Sequence, residues 1–107
     1  MLSDEQLHQL FYTKESGIHG NGLFARNEIK EGEYLGEYDG PMVNENGSHV
    51  LWVEKYDEVR VGRDGKNLLR YLNHSTDPHA EFIGFELYAL RDIGPEEEIT
   101  IDNGEEP

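Results

Sequence analysis

From Gly17 onward the chain is cut by turn signals into short pieces. They are Gly17, Gly20 and Gly22, then Glu31-Gly32, Asp39-Gly40-Pro41, Asn46-Gly47, Asp64-Gly65 and Gly94-Pro95. Glycine enters left-handed backbone at no steric cost, and proline cannot donate to a hydrogen-bonded ladder, so these pairs mark turns. Between them lie short apolar stretches that read as strands over 22–26, 33–38, 49–54, 58–62, 82–90 and 98–101. Val59 and Val61 alternate with Arg60, and Phe85, Leu87 and Ala89 alternate with Glu86, Tyr88 and Leu90. Such a period of two favours one face for burial. A mostly β domain of many short strands is expected.

Ahead of the first glycine the pattern differs. Ser3-Asp4-Glu5-Gln6 has the form of a capping box, with Leu7, Leu10 and Phe11 at helical spacing behind it. This predicts a short leading helix over 3–10. One further helical turn is expected over 67–72. A chain of 107 residues has room for one domain over 1–107, and with 36% hydrophobic residues its core must be thin and closely packed. No repeat, linker or low-complexity segment interrupts it, apart from acidic clustering near the end.

The charge narrows the partners. Nine basic residues against 23 acidic ones give a net charge of −14. Such a surface repels phosphate backbones and anionic membranes, so direct nucleic-acid binding is not expected, nor membrane binding. It either draws in basic partners, such as a lysine-rich protein, or serves solubility alone. The absence of cysteine excludes disulfides, thiolate zinc sites and a cysteine nucleophile. No apolar run approaches membrane-spanning length, and Met1-Leu2-Ser3-Asp4-Glu5 lacks the basic start of a signal peptide. A soluble intracellular protein is the default expectation.

Two segments carry chemistry. In Ser16-Gly17-Ile18-His19-Gly20-Asn21-Gly22, the glycines at 20 and 22 permit positive φ and let a ligand lie against bare backbone. Taken alone, a Gly-x-Gly is most often a hairpin turn. No Gly-Lys-Ser/Thr follows it and no helical pattern follows it, so it is neither a P-loop nor a dinucleotide fingerprint. The second segment is Arg70-Tyr71-Leu72-Asn73-His74-Ser75, closed by Pro78. Asn, His and Ser in succession are costly in a core without partners. Alone, they read as a polar turn.

The order of segments adds what neither gives singly. His19-Gly20-Asn21-Gly22-Leu23-Phe24-Ala25, then Gly32-Glu33-Tyr34-Leu35-Gly36-Glu37-Tyr38-Asp39-Gly40, then Arg70-Tyr71-Leu72-Asn73-His74-Ser75, then Glu97-Glu98-Ile99-Thr100-Ile101-Asp102 resemble the four ordered motifs of SET domains. The resemblance runs over about 16–104. It implies a β-clip-like fold of short curved strands with a C-terminal pseudoknot, and an S-adenosylmethionine-dependent protein-lysine methyltransferase acting on a basic protein. By the same resemblance, His19, Gly20, Asn21 and Gly22 contact the cofactor through backbone groups. Asn73 and His74 anchor it, and Arg70 lies beside it.

The resemblance also shows a departure. Glu98-Ile99-Thr100-Ile101-Asp102 follows the family's final motif until the position of the catalytic tyrosine, which here is Asn103. An asparagine amide donates and accepts hydrogen bonds but cannot become a phenolate. Tyr38 matches a tyrosine that borders the lysine channel in some members, and is expected either to replace the missing hydroxyl in part or to be an ordinary strand aromatic. The region between the second and third motifs, where members usually carry an insert, looks like a plain hairpin over 49–62. The chain ends at Pro107 without the cysteine-rich closing segment found in many members, so no zinc or other metal is expected. The lysine channel then stays open unless a second subunit, in a homodimer, covers it. Trp52 is a candidate for that contact, though a core position is the stronger expectation. Glu96-Glu97-Glu98 and Glu105-Glu106 either line the mouth of the site or form a solvated acidic surface. The alternative to an enzyme is a catalytically silent module that binds the cofactor or a basic peptide. A third reading is a β domain that has kept the fold and lost cofactor binding.

Overall fold

The structure, a computed structural model, describes residues 2–56 and 59–102. Asn103, Glu105 and Glu106 therefore lie outside the described residues, as does Glu58 at the start of one expected strand.

The leading helix forms as its capping box dictates. In α1 (Asp4–Leu10), the Ser3 hydroxyl accepts from the Gln6 amide at 3.2 Å, and the Gln6 side chain accepts from the Ser3 amide at 2.9 Å. Leu7 points inward and is fully buried. Phe11 does not continue the helix. It turns to extended backbone and starts β1 (Phe11–Glu15), a strand that the helical spacing of Leu7, Leu10 and Phe11 conceals. β1 pairs with β2 (Asn21–Ala25) as an antiparallel hairpin whose register runs from Phe11↔Ala25 to Glu15↔Asn21. The hairpin tip is the first glycine-containing segment.

The remaining strands are β3 (Tyr34–Glu37), β4 (Met42–Val43), β5 (Val50–Tyr56), β6 (Val59–Asp64), β7 (Asn73–His74), β8 (Ala80–Ile83), β9 (Glu86–Ala89) and β10 (Glu98–Ile101). A 3-10 helix at Leu68–Tyr71 occupies the expected helical turn. The long strand expected over 82–90 is two strands, because Gly84 takes φ 65° and the chain reverses between Ile83 and Glu86. A glycine at the first central position is what a two-residue hairpin turn asks for. The inward face is as expected: Phe85, Leu87 and Ala89 are buried while Leu90 is exposed.

The fold is mostly β, in two sheets. The larger runs β1-β2-β10-β8-β9-β3, with β7 also paired to β10, and the smaller runs β4-β6-β5. β10 is the junction of the larger sheet. It is antiparallel to β2 through Glu98↔Phe24 and Ile99↔Leu23, and parallel to β7 through Thr100↔Asn73 and Ile101↔His74. The first, third and fourth motifs thus meet side by side. Beneath them Leu7, Phe11, Leu23, Leu35, Leu69, Leu87, Ile93 and Ile99 are fully buried in one cluster.

The small sheet is a local structure that packs on this body through Leu51, Val53 and Val61. Two expectations fail there. Val59 sits at the hairpin end and is 44% exposed, so the Val59–Val61 alternation leaves its first member out and buries the second only in part. Trp52 is not a core residue. It lies on the sheet face opposite Leu51 and Val53, half-buried, with Gly62 against its ring and the Arg60 guanidinium 5.3 Å from its centroid. Its indole N–H donates to Asn46 at 3.1 Å. Among the described residues, no helix is long and apolar enough to cross a membrane.

Candidate functional site

The tip of the β1–β2 hairpin is closed by a backbone bond from the Ser16 amide to the Gly20 carbonyl at 2.7 Å. Gly20 makes the turn with φ 48°, a conformation that disfavours any residue with a Cβ. Gly22 is needed for a different reason. Its φ is ordinary, but a Cβ there would stand 2.3 Å from Glu98 Oε2. Among the described residues, a Cβ built at Gly17 or Gly20 would meet nothing within 4 Å.

The Glu98 carboxylate lies directly against Gly22 and is held by side chains from two other segments. The Ser16 hydroxyl donates toward both oxygens, at 2.8 and 2.9 Å. The Asn73 amide donates to Oε2 at 2.9 Å and to the His19 carbonyl at 3.0 Å, with the Asn21 carbonyl at 3.5 Å. Ser16 Oγ also accepts from the Ile18 amide at 2.9 Å. Asn73 is in reach because β7 runs parallel to β10, one strand away from the loop. A carboxylate accepting charge-assisted bonds from two neutral donors is a rigid arrangement.

Of the seven residues expected to hold a cofactor, five come together here: His19, Gly20, Asn21, Gly22 and Asn73. His74 follows on the same strand, its exposed imidazole 3.7 Å from the Asp102 carboxylate. Arg70 faces elsewhere. Its guanidinium donates to the carbonyls of Lys66 at 2.6 Å and Asn67 at 2.8 Å and to the Tyr71 hydroxyl at 2.9 Å, and it lies 4.5 Å from the Tyr71 ring centroid. It lines a cavity of about 330 Å³ together with Asp4, His8, Thr13 and Tyr71, away from the glycine loop.

Tyr38, just past β3, is buried with its hydroxyl donating to the His49 carbonyl. Its ring meets Phe82 edge-on at 5.6 Å and lies flush against Gly65, where a Cβ would stand 2.4 Å from the hydroxyl oxygen. Burial, helped by the Asp64 charge and opposed by that of Arg70, pushes its pKa up to about 12. The hydroxyl is therefore a neutral donor at any physiological pH. Arg63 fixes the backbone here, donating to Glu37 Oε2 and to the Tyr38 carbonyl, both at 2.9 Å. A separate hollow of about 640 Å³ is lined by the 43–50 loop with Asp64 and Lys66.

Ser16 and Glu98 are the residues that sequence reasoning missed. Glu98 reads as one of three consecutive acids, yet its neighbours do other work: Glu97 caps the Gly94 amide and stands 3.9 Å from His79, and Glu96 takes φ 67° in the turn. The one available signal was Glu98's place at the start of a motif strand.

Comparison with known proteins agrees with this geometry. Residues 20–104 match the SET domain. The histone-lysine N-methyltransferase MEDEA of Arabidopsis thaliana is 31% identical over 86% of this chain, covering 15% of its own length. The Drosophila melanogaster histone-lysine N-methyltransferases SETD1 and Set2 are 32% and 29% identical, each over 88% of this chain and over 7% and 5% of their own lengths. The chain thus spans a small part of the curated relatives it matches. A SET-domain match over residues 20–104, most of the chain, shows that this protein belongs to the SET-domain family.

Proposed function

We propose that this chain is an S-adenosylmethionine-dependent protein-lysine methyltransferase domain that acts on a basic protein. The observation that carries the reading is the glycine loop held by Ser16, Asn73 and Glu98 in a chain of this family. The loop fits the cofactor on two counts. Among the described residues nothing crowds Gly17 or Gly20, and the Glu98 carboxylate behind Gly22 places negative charge near a ligand that carries a sulfonium. When bound, S-adenosylmethionine would supply a methyl group on a positively charged sulfur.

The chain's own residues would do the rest. His19, Gly20, Asn21 and Gly22 present backbone groups in a fixed shape, with the carbonyls of His19 and Asn21 steadied by Asn73. Lysine has a reference pKa of about 10.4, so a productive site must favour the neutral amine, and a partly desolvated approach achieves this. Alignment of that amine then supplies much of the rate. Tyr38 keeps its proton, but its buried hydroxyl already donates to the His49 carbonyl, so for it to take over part of the role of the missing tyrosine that bond must open. The net charge of −14 favours a lysine-rich partner. A homodimer would close the channel, and light scattering tests it: a strict monomer overturns that element.

Asn103 favours a second reading, a silent module that binds cofactor or basic peptide without transferring the methyl group. Loss of a positioned catalytic group costs roughly 10² to 10⁴ in rate. Incubation with S-adenosylmethionine and a lysine-rich protein, followed by mass spectrometry, separates the two. Methylation by the native chain supports the enzyme. Its absence, with recovery in Asn103→Tyr, identifies the silent module.

A further inference from the structure

Glu98 is where three segments far apart in the chain meet, and each of its partners grips a different part of the glycine loop. Ser16 bonds the carboxylate at 2.8 and 2.9 Å while accepting from the Ile18 amide at 2.9 Å, which fixes the near end of the loop. Asn73 bonds Oε2 at 2.9 Å while donating to the His19 carbonyl at 3.0 Å, which fixes the middle of the loop. Gly22 lets the carboxylate approach between them. Neither Ser16 nor Asn73 can hold its part of the loop in the same way without an acceptor at this point.

We infer that Glu98 is a positioning residue for the cofactor site, acting through Ser16 and Asn73 to hold loop 16–22 in its binding shape. The inference rests on the proposed function for the identity of the ligand, but not for the effect on the loop. Chemistry makes the isosteric change informative. In Glu98→Gln the charge is lost and one of the two oxygens becomes an NH2 group, so Ser16 and Asn73 are left to share one neutral acceptor at the Oε2 position and both bonds lose their charge assistance. The side-chain volume and the strand pairing of β10 are unchanged.

The experiment has two arms, run on native protein, Glu98→Gln, Ser16→Ala and the double variant. In the first, amide hydrogen exchange is measured without cofactor. Loop amides 17–22 should exchange at least about tenfold faster in Glu98→Gln, the effect of turning charge-assisted hydrogen bonds into neutral ones. The Leu87 amide in β9 should keep its protection. In the second, titration with S-adenosylmethionine should show at least about tenfold weaker binding in Glu98→Gln and Ser16→Ala. The double variant should be little worse than the weaker single variant, because both break one network. Unchanged loop exchange overturns the inference, as does loosening spread equally to Leu87. Equal cofactor affinity in native protein and Glu98→Gln overturns it too. If the native chain binds no S-adenosylmethionine, the proposed function fails, and loop exchange alone decides whether Glu98 shapes the loop.

Discussion

The loop–β10 region and the small β4–β6–β5 sheet hold together in opposite ways. In the first, the β1–β2 ladder ends at Glu15↔Asn21 and the strands that meet the loop are short: β7 has two residues and β10 has four. Order comes from side chains that reach across the chain, Ser16 to Glu98 and Asn73 to His19. In the second, β5 and β6 pair from Val50↔Asp64 to Tyr56↔Val59 as neighbours in sequence, so the ladder itself supplies local order. That sheet is tied to the body by apolar packing, by Arg63 on Glu37 and Tyr38, and by the Tyr38 hydroxyl on His49. A polar site built on long-range bonds keeps its shape while leaving backbone open for a ligand. A hairpin held at a few points can adjust without disturbing that site.

If the two regions are independent in this sense, damage to one should leave the other intact. The largest effect is expected from Arg63→Ala. Arg63 and Glu37 have side chains only 22% and 13% exposed, so removing the guanidinium leaves a largely buried carboxylate unpaired. A loss of about 2–3 kcal/mol is expected in denaturant unfolding. Exchange should quicken through 50–64, with loop 16–22 protected as before. Loosening of both regions would break the comparison.

Gly22→Ala is the reverse case. The new methyl group pushes the Glu98 carboxylate away from Ser16 and Asn73, at a cost of about 1–2 kcal/mol. Loop exchange should quicken and cofactor binding should weaken sharply, while β5 and β6 stay protected. A smaller change, about 1 kcal/mol, is expected for Tyr38→Phe, because the His49 carbonyl still accepts from the Gly65 amide at 2.9 Å. That variant also sharpens the pH dependence. Tyr38 holds its proton up to about 12 when folded against about 10 when unfolded, so the native state binds the extra proton in between. Its contribution is fully present below pH 10 and is lost as pH rises from about 10 to about 12. Alkaline unfolding of Tyr38→Phe should show a shallower loss over that window. Any methyl transfer that survives Tyr38→Phe at the native rate contradicts a catalytic part for its hydroxyl.

How much of this was legible in the sequence follows the same division. Local signals were readable: Ser3 and Gln6 announced the helix start, and the strand at Glu98–Ile101 has the expected bounds. Phe11 misled because its helical spacing from Leu7 is also compatible with a strand that begins at the helix end and buries the same ring. Gly84 misled because a lone glycine in an apolar run marks either a bulge or a reversal, and only the pairing of Ile83 with Glu86 decides. The motifs identified the loop and Asn73, but the Ser16–Glu98 bond joins residues 82 positions apart, and no local pattern encodes that distance. Trp52 looked like core because tryptophan is large and apolar. It lies outward, where Gly62 on the neighbouring strand leaves room for its ring and the Arg60 guanidinium stands 5.3 Å from the ring centroid.

The loop fixed by Ser16, Asn73 and Glu98 is proposed as the cofactor site. Calorimetric titration of the native chain and of Gly22→Ala with S-adenosylmethionine tests it most directly. Saturable binding to one site in the native chain, lost or sharply weakened in Gly22→Ala, is the predicted result. Absence of binding to the native chain, or equal binding to both, would contradict it.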